Sequence, residues 1–137
     1  MAILSSSELY QQAELSYVRG TYYVALTQSA TGYTSNVLYS NIVADEVTAG
    51  TAGYARLSFT YSATDLLGYD SGQPLIQKTA QFIHDNSTDI MEFNHVAILR
   101  EVNSAYTVVA VDSVGSDVKL TSGNTATIRI NLLHGRP

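Results

Sequence analysis

The chain has 137 residues, a formal net charge of −5 and no cysteine, and only 14% of its residues are charged. This length is enough for one domain with its own core, and the absence of cysteine excludes disulfides, thiolate metal sites and cysteine nucleophiles. The acidic balance argues against a nucleic-acid partner, the lysines Lys78 and Lys119 are too few for a basic membrane-binding patch, and no stretch approaches the roughly twenty apolar residues of a membrane span.

Residues 5–19 are predicted to form the one clear helix of the sequence. Ser5 and Glu8 fit a capping box at its start, and Gly20 suits the left-handed position that ends it. A helix this short needs to pack against another surface, and an apolar stripe provides the contact. The stripe consists of Leu9, Tyr10, Ala13 and Tyr17. Residues 1–20 are therefore predicted to be an N-terminal arm and helix, appended to the domain as a docking or oligomerisation element.

From residue 21 onward, apolar and polar residues alternate and β-branched and aromatic side chains are frequent, which is typical of strands. Clusters of Asn, Asp, Gly, Ser and Pro separate these segments at the spacing expected of turns. The predicted strands are 22–26, 55–61, 77–84, 91–100, 106–111 and 126–132, and the predicted turns are 69–74, 103–104, 115–117 and 122–124. The pattern predicts an all-β fold with one short N-terminal helix: a single antiparallel β-sandwich or barrel-like domain over residues 21–137.

The strand over 91–100 is apolar on both sides. Strict alternation puts Phe93, His95, Ala97 and Leu99 on one face and Val96 and Ile98 on the other. A strand of this kind lies in the centre of a sheet or at an interface. Because His95 falls among apolar neighbours, we interpret it as a core or interface histidine in preference to a catalytic or ligand-binding one.

Residues 33–53 show no clear periodicity. Short apolar runs at 37–39 and 42–43 are interrupted by Asn and Gly, so the segment is predicted to be a long loop, and loops of this length usually have a function. Tyr33 and Tyr39 in this segment, and Tyr69 further on, are surrounded by small polar residues. Such tyrosines either serve in recognition or cover the ends of the domain, and the sequence leaves both interpretations open.

No catalytic constellation stands out. A serine could be combined with His84 or His95 and Asp112 into a triad, but no nucleophile-elbow motif is present and serine is too abundant for such a set to be informative. The Gly50–Gly53 segment precedes a strand, which excludes a phosphate-binding loop, and its glycines are expected to provide backbone freedom. We therefore predict no catalytic residue and no cofactor.

Loop carboxylates raise the possibility of a calcium site. Asp65, Asp70, Asp85 and Asp89 occupy segments that could converge at one end of a sandwich. The spacing of known calcium loops is absent, so solvated loop carboxylates are the preferred interpretation and no metal is predicted.

Two short segments resemble a known class of proteins. They are Thr21-Tyr22-Tyr23-Val24-Ala25-Leu26 and Gly53-Tyr54-Ala55-Arg56, which lie about thirty residues apart. Each opens a β-type run, and a long polar segment links them. This order, after an N-terminal helix, resembles small virion accessory proteins of tailed bacteriophages, which are capsid-decoration or tail-fibre-like minor structural proteins. In such proteins an arginine recurs after Gly-Tyr-Ala, and Arg56 is expected to pair with a carboxylate across the sheet or on a neighbouring subunit.

The resemblance implies a non-enzymatic structural protein of the virion, assembled in the host cytoplasm. Its implied role is capsid decoration, as a cement or knob protein on the lattice of the major capsid protein, with a homo-oligomer or contacts to other virion proteins also expected. The low charge agrees with this, because neutral surfaces self-associate or contact a partner. The candidate partner-binding residues are Leu9, Tyr10, Tyr17, Tyr33, Tyr39, Arg56 and Tyr69.

Two alternatives remain open on sequence grounds. The same resemblance covers tail-associated proteins, namely collar, baseplate or fibre-attachment components. A carbohydrate-binding adhesin is the second alternative, because tyrosines in loops with Asp and Asn could bind sugar rings. Against it, the chain has no tryptophan.

Overall fold

The computed structural model describes residues 20–60, 66–70 and 73–133. The predicted helix over 5–19, with Leu9, Tyr10 and Tyr17, lies outside these residues. The described part is mostly β, with one short α-helix. The strands are β1 (Thr21–Thr27), β2 (Leu57–Phe59), β3 (Leu66–Asp70), β4 (Gln73–Ile83), β5 (Met91–Val102), β6 (Ala105–Leu120) and β7 (Thr125–Leu133), and the helix is α1 (Tyr39–Asp45).

The strands form two antiparallel sheets. One has four strands in the order β2-β1-β5-β6, and the other has three in the order β3-β4-β7. Within the described ranges the sheets are open, so the barrel-like alternative in our prediction is wrong. β5 pairs with β1 on one side and β6 on the other, which confirms that it is a central strand.

One buried core contains side chains from both sheets. Val24 and Leu26 of β1 share it with Phe82 of β4 and Ile130 of β7. The predicted strand over 126–132 is confirmed by β7, in which Ile130 is buried while Thr127 and Arg129 are exposed. The core is completed by Tyr22, Ala52, Tyr54, Ala80, Met91, Phe93, Val96, Ile98 and Leu120.

The predicted face of Phe93 is wrong. Phe93 packs in the core between the sheets with Val96 and Ile98, whereas Ala97 and Leu99 lie in a second cluster on the opposite face. The register between β5 and β6 shifts between Phe93 and His95. A β-bulge of this kind breaks the period of two, and strict alternation cannot anticipate it.

The β5–β6 hairpin agrees with one predicted turn and contradicts another. Asn103 and Ser104 connect the strands with φ values of 52° and 65°, and two consecutive positive φ angles are the mark of a tight type I′ hairpin turn. The predicted turn at 115–117 is instead part of β6, which continues to Leu120 through the register shift opposite Phe93 and His95. Gly115, with φ 92°, lies in this irregular stretch.

The segment predicted to be a long loop contains α1 and covers the outer face of the four-stranded sheet. Ile42 of α1 is wholly buried against Ala25, Ala97 and Leu99. The chain then runs beside β1, where the Val47 N–H donates to the Leu26 carbonyl and the Gln28 N–H donates to the Asp45 carbonyl. In the part of the chain that is described, no helix is long and apolar enough to cross a bilayer.

The loop after this segment depends on two glycines with similar backbone angles. Gly50 and Gly53 have φ values of 89° and 82°, which confirms that this segment uses the backbone freedom of glycine. A Cβ added to Gly53 would lie 2.8 Å from Asp85 Cβ, whereas nothing lies within 4 Å of a Cβ added to Gly50. A substitution at Gly50 therefore introduces backbone strain alone, whereas a substitution at Gly53 adds a steric overlap with Asp85.

We expect Gly53→Ala to destabilise the protein clearly more than Gly50→Ala. Both variants force alanine into the left-handed region, at a cost of about 1–2 kcal/mol each. Only Gly53→Ala must also displace Asp85, whose N–H donates to the Ala52 carbonyl. Urea denaturation of both variants measures the difference in unfolding free energy, and equal losses would contradict the steric argument.

Candidate partner-binding surface

The predicted partner-binding residues that can be placed do not form one exposed patch. Tyr69 lies in β3, where its side chain is not described. Tyr33, Tyr39 and Arg56 all lie near the outer face of the four-stranded sheet, beside or within the segment that contains α1. Tyr39 and Arg56 are in direct contact, and Tyr33 lies toward the other end of α1, next to Asp45.

Glu46 directly follows α1 and anchors residues 38–46, which we call the α1 segment. The Arg56 Nε and Nη2 donate to Glu46 Oε2 and Oε1, both at 2.8 Å, which is a two-pronged ion pair. The Tyr54 hydroxyl donates to Glu46 Oε2 at 2.6 Å and accepts the Leu26 N–H at 3.1 Å. Arg56 therefore pairs within the chain, with a carboxylate that sequence reasoning did not identify.

The surroundings of this ion pair determine its protonation. Burial alone would raise the pKa of Glu46, but the hydrogen bonds from Arg56 and Tyr54 outweigh it and lower that pKa below the ordinary value of 4.5. Burial and the hydrogen bond to Glu46 raise the pKa of Tyr54. The hydrogen bond to Glu46 raises the pKa of Arg56 further. Glu46 and Arg56 are thus charged and Tyr54 is neutral around pH 7.

The Arg56 guanidinium lies near a stacked pair of tyrosine rings. Its Cζ lies 5.3 Å from the Tyr39 ring centroid and 5.4 Å from that of Tyr106, within the range of cation–π attraction. The Tyr39 and Tyr106 rings stack on each other with centroids 4.8 Å apart. Tyr39, which was predicted either to recognise a partner or to cover the end of the domain, is thus held by contacts within the protein and stays half-buried.

Tyr33 is likewise used within the protein. Its hydroxyl donates to Asp45 Oδ2 at 2.9 Å, and its ring contacts the His95 ring edge-on at 5.1 Å. Burial raises the pKa of Tyr33. His95 is half-buried, with Nδ1 2.6 Å from Asn94 Oδ1, in agreement with the interpretation of a packed histidine.

The histidines do not meet Asp112 in the geometry of a triad. His95 lies on the outer face beside Tyr33, whereas Asp112 lines the space between the sheets with Val96. His84 is buried in the loop after β4, where Nδ1 accepts the Asn86 N–H and Nε2 lies 2.7 Å from the Asp89 carbonyl. This arrangement gives His84 a structural role in holding the loop.

Of the four carboxylates considered for a calcium site, Asp85 and Asp89 have described side chains, and both residues are exposed. Asp85 Oδ1 accepts the Ser87 N–H at 2.9 Å, in an Asx turn within the loop. Asp65 lies outside the described residues, and the side chain of Asp70 is not described. Among the described residues, no group of three or more His, Asp or Glu side chains is close enough to hold a metal ion.

Exposed apolar side chains on the α1 segment were missed by sequence reasoning. Leu38 and Val43 are 65% and 47% exposed, although the same short segment buries Ile42 completely. The apolar residues at 37–39 and 42–43 could have indicated such a surface. Because no helix was predicted there, the sequence did not show which of these side chains are buried and which are exposed. We call Leu38, Tyr39 and Val43 the α1 surface.

The described residues form, among others, one apolar and one polar cleft, and of these two the polar one lies beside α1. An apolar cleft of about 440 Å³ lies between β5–β6 and β7, lined among others by Phe93, Ile98 and Ile128. A polar cleft of about 270 Å³ lies between the 29–36 loop and α1, lined among others by Tyr33 and Asp45.

Comparisons of the chain with protein-family models, with curated protein sequences and with solved structures found no match.

We expect Arg56→Ala to lower the unfolding free energy by about 2–3 kcal/mol, because it leaves a largely buried carboxylate with only one donor. Arg56→Lys keeps the charge but loses the two-pronged geometry and the planar contact with the tyrosine rings. It should lose about 1 kcal/mol or more, an intermediate effect. Chemical denaturation measures both losses, and a Lys variant as stable as the natural chain would contradict a role for the guanidinium geometry.

Stability should also depend on pH through Glu46. Because its pKa is lower in the folded protein than the ordinary 4.5, its contribution is fully present above pH 4.5 and is lost as the pH falls through the folded value. Thermal melts of the natural chain and of Glu46→Gln between pH 7 and pH 3 measure this. The difference between the two should shrink in the acid range, and a constant difference would contradict the assignment.

Proposed function

We propose that the protein is a non-enzymatic structural protein of a tailed-bacteriophage virion, and that it decorates the capsid by binding the lattice of the major capsid protein. The observation that supports this most is the contact between the two segments of the resemblance. The Leu26 N–H donates to the Tyr54 hydroxyl across 28 residues of sequence. The Tyr-Val-Ala-Leu and Gly-Tyr-Ala-Arg segments are therefore parts of one local structure.

The fold proposed for this role is a β-sandwich. Its support is the shared core, in which Leu26 of one sheet and Phe82 of the other belong to the same cluster of buried residues. A preformed domain of this kind binds a lattice without the ordering cost that a disordered segment would incur.

The α1 surface is the proposed contact with the capsid. It combines two exposed aliphatic side chains with a half-buried tyrosine, and it contains no charge. Apolar side chains that are exposed on a well-packed segment are a common feature of interaction sites. The anchoring of Tyr39 by Arg56 and Tyr106 keeps this surface in one conformation.

Immunogold electron microscopy of intact virions, with antibodies raised against the purified protein, tests the proposal. Label over the head, at hundreds of copies per particle by quantitative gel analysis, is the expected result. Label confined to the tail at a few copies would overturn capsid decoration and support the tail-associated role. An absence of label on intact particles, with no band in their protein profile, would overturn both.

A paired set of variants tests the α1 surface. The double variant Leu38→Ser, Val43→Ser should reduce the copy number on purified particles, while its melting temperature remains close to that of the natural chain. The matched control is Ile83→Ser, Ile90→Ser, which changes two exposed aliphatic residues outside α1, 63% and 50% exposed. Equal loss in both variants, or loss in the control alone, would contradict a capsid contact through α1.

A further inference from the structure

We propose that the polar cleft beside α1 binds a single neutral pyranose ring, such as a monosaccharide or the terminal sugar of a glycan. The volume of about 270 Å³ lies just below the range typical of sites for drug-sized ligands, so it suits one ring better than an extended chain. This inference is independent of the position of the protein on a particle.

The residues that line the cleft provide hydrogen-bond donors and acceptors that suit the hydroxyl groups of a sugar. Asp45 Oδ2 accepts the Tyr33 hydroxyl and Asn41 Oδ1 accepts the Leu38 N–H. Among the described residues, Asp45 Oδ1, Asn41 Nδ2 and the whole side-chain amide of Asn36 remain without a hydrogen-bond partner. The free set is thus one carboxylate acceptor, one amide donor, and one amide that both donates and accepts.

This set matches the chemistry of adjacent hydroxyl groups. A sugar hydroxyl donates one hydrogen bond and accepts others, so one hydroxyl can donate to a carboxylate while its neighbour accepts from an amide. Tyr33 also lines the cleft, and an aromatic ring can pack against the C–H groups of a sugar.

The charge of the cleft selects against anions. No Lys, Arg or His is among the residues that line it, and Asp45 is the one carboxylate there. A phosphate, a sialic acid or a uronic acid would bring a negative charge toward Asp45 with no cation to balance it. A neutral sugar has no such cost.

Hydrogen bonds among the surrounding residues hold the cleft in place before any ligand arrives. Asn94 accepts the Ser29 N–H at 2.9 Å and donates to the Ser29 carbonyl at 2.6 Å, and it also contacts His95, on which the Tyr33 ring rests. The Ser29 hydroxyl accepts the Gly32 N–H at 3.1 Å. Polar groups fixed in advance reduce the entropy that binding has to overcome.

Protein-observed NMR titration tests the proposal with galactose, mannose, N-acetylglucosamine and rhamnose as probes, each up to about 50 mM. At least one should give saturable shifts concentrated in residues 29–36 and 41–45. Glucuronate and glycerol serve as the anionic and non-ring controls and should give weaker effects. No saturable shift with any of the four sugars, shifts that lie elsewhere, or tighter binding of glucuronate would each overturn the proposal.

Substitutions in the cleft test whether the proposed groups contact the sugar. Asn36→Ala removes an exposed amide that supports no other described contact, and Asp45→Asn removes the carboxylate while it keeps an oxygen for Tyr33. Each should weaken binding roughly tenfold, with an unchanged melting temperature for Asn36→Ala. Asp89→Asn, an exposed carboxylate outside the cleft, is the charge-matched control. Unchanged affinity in both cleft variants would overturn the assignment.

Because the titration uses purified protein in solution, its outcome does not depend on virion location. Failure here leaves the immunogold experiment unaffected, and failure of that experiment leaves this one unaffected.

Discussion

The outer layer of this protein depends on one requirement: the largely buried Glu46 carboxylate must accept hydrogen bonds from groups within the protein. The Glu46 side chain is 12% exposed, and it is balanced by two N–H groups of Arg56 and by the Tyr54 hydroxyl. A charge that is removed from water without such partners would be costly. Since Tyr54 also accepts the Leu26 N–H, the position of the carboxylate is coupled to the backbone of β1.

The same cluster connects parts of the chain that are far apart in sequence. Arg56 lies just before β2, Tyr39 lies at the start of α1, and Tyr106 lies near the start of β6. Their contact holds α1 over the outer face of the four-stranded sheet, where Ile42 completes the apolar packing. The ion pair and the burial of Ile42 therefore both hold this segment against the sheet.

β5 shows why the sheet needs this cover. Its two faces belong to two different apolar clusters, one between the sheets and one beneath α1. A central strand that is apolar on both faces requires cover on each side. One face of β5 shares a cluster with side chains of the second sheet, and the other shares a cluster with Ile42 of α1.

The β character, the order of most strands along the chain and the Asn103–Ser104 hairpin could be predicted, because they depend on local alternation and turn chemistry. The face of Phe93 and the continuation of β6 through Gly115 could not, since a bulge shifts the register without a sequence signal that one chain reveals. α1 was missed for a different reason. Its seven residues are too few for a helical period, and packing stabilises it more than helix propensity does.

Sequence composition selected the candidate residues, but their contacts could not be predicted from it. Tyr39 and Arg56 are in direct contact, Tyr33 lies toward the other end of α1, and all three make contacts within the protein. Glu46 had no signal, because it lies in the segment over 33–53, which shows no periodicity, and its partner Arg56 is ten residues away. Loop composition indicates which side chains can bind a ligand, but only the tertiary contacts show which of them remain available.

Tyr33 and Tyr39 make contacts within the protein, and this affects how the segment over residues 33–47 can bind a partner. A loop rich in Tyr, Ser and Asn could fold only on contact with a partner, and it would then lose affinity to the cost of ordering. Here α1 is already anchored, through Ile42 beneath it and through the Glu46 cluster at its end. The groups that remain free, Leu38 and Val43 on one side and the polar cleft on the other, are therefore presented on a fixed support. Binding at either place then meets mainly the cost of desolvation, which favours neutral ligands and neutral surfaces.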